Sequence, residues 1–199
     1  MSKLVHGIGF NDRKYPAEVN NNPQNEYNTW QRMLERCKEK CWVKHPTYID
    51  TNCSENFKSY SFFYEWCQEQ VGFGNKDNWG RYWHLDKDLL IKGNKIYSED
   101  TCVFVPQKIN SLLTKCNSSR GEYPIGVSWH KASSKFNAVC SNGHSNQKYL
   151  GLFSTVEEAF SVYKTFKEGL IKEIATEHKE QLDHRVYNAL MCYEVNIND

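Results

Sequence analysis

The chain has 199 residues, 39% hydrophobic and 25% charged, which is enough to bury one moderate core or two small ones and excludes disorder throughout. A net charge of +1 excludes a global positive field drawing the protein to nucleic acid, so any basic surface must be local. The start MSKLVHGIGF lacks the apolar stretch of a signal peptide, and no run approaches the roughly 18 apolar residues of a membrane helix; a soluble cytoplasmic chain with no membrane contact and eight reduced cysteines is expected.

Residues 1–26 read as an arm, ending in the polar, turn-rich EVNNNPQNEYN. Apolar residues at Trp30, Met33, Leu34, Cys37 and Cys41 then follow helical spacing, and Phe57, Tyr60, Tyr64 and Cys67 predict a second helix. The aromatic residues of this half, including Trp30, Trp42, Trp66, Trp79 and Trp83, are expected to pack a small core. Cys37 and Cys41 lie one helical turn apart, but Cys53 and His45 offer no second close pair, so core thiols are expected rather than a metal pair. VGFGNKDNWGRYW breaks the second helix.

Next comes WHLDKDLLIKGNKIYSEDTCVFVPQKIN, residues 83–110. It predicts a strand ending at Asp86, a charged Asp86-Lys87-Asp88 cluster, a Gly-Asn turn and a second strand holding Val103 and Val105. Pro106 suits a helix start, and that helix carries Asn110. CNSSRGEYPIG has the composition of a linker, with a domain boundary near Arg120. Three short alternating runs, IGVSWHK, KFNAVCS and QKYLGLF, form a meander. Thr155 and Glu158 make a capping box, and Ala159, Tyr163, Phe166, Leu170 and Ile174 mark one face of a long helix. That helix covers one sheet face. Alternation points Val127, Phe136, Ala138, Cys140 and Leu150 toward it and leaves Ser128, His130, Asn137, Val139, Ser141, Gln147 and Tyr149 open, with Lys131, Lys135 and Lys148 at the margins. In the tail, residues 181–199, Val186, Leu190 and Tyr193 form an apolar stripe that caps the core or pairs with a partner.

The pattern GVSWHK…KFNAV…KYLGLFSTVEEAFSVYK resembles the APETALA2-type DNA-binding domain, whose open sheet face lies in the major groove. Members of that family in phage and mobile-element proteins are joined to an HNH nuclease module, and LDKDLLIKGNKIYSEDTC is similar to the phage variety of such modules. The resemblance implies an α+β protein: a helical and ββα-metal module over residues 27–119, then a three-stranded antiparallel sheet packed on one helix over 120–180. It implies duplex DNA as partner, Asp86 and Asn110 as ligands of a divalent ion such as Mg²⁺, and Thr101 at the position of a loop-tethering Asn. It also implies a His base where this chain has Lys87. An ammonium beside two aspartates fits a phosphate contact or an ion pair better than a base, and His84, two residues before Asp86, is the substitute candidate. Arg120, Ser128, His130, Lys131, Lys135, Asn137, Gln147, Lys148 and Tyr149 become the candidate DNA contacts. The open face has no Arg, the residue that most often reads guanine, so a host protein bound by a catalytically dead, counter-defence scaffold is the alternative to a homing or nicking endonuclease.

Overall fold

The polar arm folds rather than trailing. β1 (Glu18–Val19) and β2 (Asn22–Pro23) pair antiparallel through a tight turn in which Asn20 and Asn21 both take positive φ, a conformation their short polar side chains tolerate. Tyr15 stacks on Tyr64 with ring centroids 4.0 Å apart, and the Tyr60 hydroxyl donates to the Pro16 carbonyl. The computed structural model describes residues 4–114, 121–141 and 146–199.

The first predicted helix is interrupted. α1 (Asn25–Arg36) stops at Cys37, Lys38 is extended, and α2 (Glu39–Lys44) starts afresh. The Trp42 indole donates to the Arg36 carbonyl at 2.9 Å, satisfying one of the acceptors that a helix end leaves open. After β3 (Asn52–Cys53), Phe57 lies in a 3-10 turn ahead of α3 (Tyr60–Glu69), whose cap Ser59 accepts the Phe62 N–H. Trp30, Phe57, Tyr60, Phe63 and Trp66 form a buried aromatic cluster, and the Trp30 indole donates to the Phe57 carbonyl. Trp83 is also buried, whereas Trp79 is 78% exposed, contrary to the expectation that it packs the core. Its turn is held by Asp77, which accepts its N–H, and its ring faces the Arg81 guanidinium.

β4 (His84–Asp86) pairs antiparallel with β6 (Val103–Val105), and between them β5 (Ile96–Tyr97) pairs parallel with β3. α4 (Gln107–Leu112) follows Pro106. The sheet predicted further on is present: β7 (Val127–His130), β8 (Lys135–Ser141) and β9 (Gln147–Phe153) run antiparallel in that order. α5 (Val156–Glu177) starts at the predicted capping box of Thr155 and Glu158. Cys140, Phe160, Tyr163 and Val195 form the centre of this core, with Ile125, Val127, Leu150, Phe166 and Tyr193 around it. Gly126 takes φ +80 directly under the Tyr163 ring, where no Cβ fits. The tail is fastened to α5: Glu168 accepts the Val195 N–H at 2.8 Å, and Lys164 donates to the Val195 carbonyl. For Tyr193, capping the core is therefore the outcome.

The fold is mixed α+β. Its contacts divide it into two units, Met1–Pro106 with Gln181–Val186 and Gln107–Glu180 with Tyr187–Asp199. The division precedes the linker, so α4 is grouped with the sheet-bearing unit, where Lys108 pairs with Glu177 of α5. α6 (His184–Met191) spans the last of these boundaries, between Val186 and Tyr187.

Candidate functional site

In the first unit the β4–β6 register sets Leu85 opposite Phe104, both buried, and turns His84 and Asp86 to the other side of the strand, both half-buried. Beyond Asp86 the chain folds over its own carboxylate. Asp86 Oδ1 accepts the N–H groups of Asp88 and Leu89 at 2.9 and 2.8 Å, an Asx turn that delivers Leu89 to the core. Burial, then the negative charge of Asp88, push the Asp86 carboxyl up to about 6, against the lowering effect of those two N–H groups. Burial, then the charges of Arg36, Arg81 and Arg32, lower the pKa of His84 and favour its neutral imidazole.

Lys87 is buried, only 6% exposed, so this end of the strand is not the solvated charge cluster that its composition suggests. Its ammonium stands 3.3 Å from the Asp88 carboxylate and 5.8 Å from the centre of the Tyr97 ring. The ion pair expected for it is present. On the other edge of Tyr97, Arg36 donates to the phenol oxygen at 3.2 Å while lying over the Tyr48 ring. The loop is tied by a residue that the sequence reading passed over. Asn94 donates to the Lys87 carbonyl at 2.6 Å and to the Ile96 carbonyl at 2.8 Å, and accepts the Ile96 N–H. Thr101, expected in the tethering position, bonds locally to the Ile96 carbonyl and to Ser98. The signal for Asn94 was its place beside Gly93, which takes φ +84 in the turn.

Asn110 lies on α4 in the second unit, half-exposed, its carbonyl accepting the Thr114 hydroxyl. Among the described residues no three His, Cys, Asp or Glu side chains gather as a metal-holding group. The seven described cysteines are free, with Cys37 and Cys41 half-buried.

Of the candidate DNA contacts, Ser128, His130, Lys131, Lys135, Gln147, Lys148 and Tyr149 are exposed; Arg120 lies outside the described residues. Register brings Ser128 beside Asn137 and Leu152, Val139 beside Tyr149, and Ser141 beside Gln147, on the face away from α5. Leu150 is the extra residue of a bulge opposite Ala138 and Val139. Lys148 pairs with Cys140 and so belongs to the side that α5 covers, at its solvent edge. Asn137 is half-buried, with its Oδ1 out of contact with water and without a partner. His130 is held by Ser133 at 2.7 Å. Tyr149 is 60% exposed.

No protein-family model, curated protein or solved structure matches this chain. No helix among the described residues is long and apolar enough to cross a membrane.

Proposed function

We propose that this chain is a DNA-binding protein of the phage HNH endonuclease type, which binds duplex DNA and hydrolyses a phosphodiester slowly with a divalent metal. The observation that carries the reading is the pair His84 and Asp86 on one side of β4: an imidazole biased toward its neutral, proton-accepting form beside a carboxylate whose negative charge is poorly compensated. The donor chemistry fits a hard cation. A desolvated carboxylate with a second carboxylate nearby gains from a positive ion, and Asp86 would supply an oxygen ligand of the kind that Mg²⁺ prefers. Bound there, the ion would lower the pKa of a coordinated water and polarise a phosphoryl oxygen. His84 would take the proton of the attacking water. Lys87, buried and held by Asp88, would contribute charge to the loop rather than a base. Ser128, Asn137 and Tyr149 would meet the duplex from the open sheet face.

A second reading is favoured by that same burial of Lys87 and by the exposed aromatic rings Tyr149 and Trp129 in the Arg-free sheet. In it the hydrolytic site is degenerate, and the sheet binds a host protein. Relaxation of supercoiled plasmid separates the two. The first reading expects nicking with Mg²⁺ or Mn²⁺ that His84→Ala abolishes while duplex binding persists. An absence of nicking with either ion, together with an absence of duplex binding, would leave only the second.

A further inference from the structure

α1, α2 and the segment after them enclose a hollow of about 590 Å³. Arg32, Arg36, Lys38, Lys40 and Lys44 line it, with Glu35 as the one carboxylate among the lining residues. None of the five cations has a carboxylate within salt-bridge distance among the described residues. In a chain of net charge +1, such a concentration is far above the background. One member is pre-set: the Arg36 guanidinium is held by the Tyr97 hydroxyl at 3.2 Å and by the Tyr48 ring rather than by a carboxylate, so its orientation is settled without spending its charge.

A lining residue of the hollow and the residue that follows Asp86 share Tyr97 as a neighbour. Arg36 reaches one edge of Tyr97, Lys87 stands over the ring, and Lys87 directly follows Asp86.

We propose that this hollow is an oxyanion site that takes successive phosphates of a nucleic-acid strand and leads the strand toward His84 and Asp86. The inference rests on the DNA-binding reading and adds to it a second, sequence-independent contact surface in the first unit, separate from the sheet face. Lysine and arginine neutralising backbone phosphates release condensed counterions, so the contribution of the hollow is measurable as salt dependence.

The test is fluorescence anisotropy of a labelled random duplex titrated with full-length protein over a range of KCl. Three proteins are compared: wild type, the exposed-residue variant Arg32→Gln/Lys40→Gln/Lys44→Gln, and Lys131→Ala/Lys135→Ala/Lys148→Ala as the sheet-side counterpart. Arg36 is left in place because it packs on Tyr48 and Tyr97; circular dichroism verifies that the variants are folded. The hollow variant should lose up to about 2.7 units of the slope of log K against log salt, about 0.9 for each cation removed. Wild-type binding with an unchanged slope in the hollow variant would overturn this site while leaving the DNA reading standing. Failure of the wild type to bind at all would overturn both. Binding of polyglutamate that the hollow variant loses, with duplex binding unchanged, would assign the hollow to an acidic protein surface instead.

Discussion

Replacing Asp86 by Asn should stabilise the metal-free protein at neutral pH while disabling its candidate site. The carboxyl is displaced from its ordinary 3.8 to about 6, chiefly by burial. Because the folded chain holds that proton more tightly than the unfolded chain does, the contribution of Asp86 is fullest below about pH 3.8 and is lost as pH rises through 6. A displacement of roughly two units corresponds to about 3 kcal/mol at pH well above 6; partial exposure lowers the expectation to about 1–3 kcal/mol. Asn removes the ionisation and keeps an oxygen to accept the Asp88 and Leu89 N–H groups. Urea denaturation followed by tryptophan emission reports mainly on the first unit, which holds five of the six tryptophans. Asp86→Asn should match the wild type at about pH 4 and exceed it at about pH 7.5 by about 1–3 kcal/mol. Millimolar Mg²⁺ should narrow the gap by stabilising only the wild type. A variant less stable than the wild type at neutral pH, or one whose offset is the same at both pH values, would show that ionisation of Asp86 does not destabilise the fold.

Gly126→Ala should destabilise the second unit by more than about 2 kcal/mol, since the new methyl meets the Tyr163 ring at a positive φ; limited proteolysis and the emission of Trp129 report it. Thr155→Ala breaks the capping box and should cost about 1 kcal/mol, read as faster amide exchange through α5. Asn94→Ala leaves the Lys87 and Ile96 carbonyls without their donor and should cost about 1–3 kcal/mol, with faster exchange of the Asp88 and Leu89 amides.

What the sequence disclosed depended on the range of the interaction. The Thr155–Glu158 box, the alternation of β7 to β9 and the turn at Gly93 are set by residues a few positions apart, and each is found where its pattern lies. That the strand ending at Asp86 is followed by one holding Val103 and Val105 was legible from their apolar runs, and the register that sets Leu85 against Phe104 buries both. The break at Lys38 was not, because Cys37 and Cys41 preserve helical spacing across it, and the carbonyl that closes α1 is satisfied by an indole six residues on. Burial of Lys87 depends on Tyr97, which the parallel pairing of β5 with β3 holds in place. That pairing involves only two residues per strand, far apart in the chain. Read along the chain, Lys38, Lys40 and Lys44 resemble the solvated side of a helix. Only the bend between α1 and α2 gathers them with Arg32 and Arg36 around one hollow.

Whether this protein holds duplex DNA is tested by a gel shift of the wild type against random duplex DNA at increasing KCl. Binding is expected at about 50 mM salt and should weaken linearly on a logarithmic scale as salt rises toward about 200 mM. No shift at the lowest salt, or a shift indifferent to salt, would contradict it.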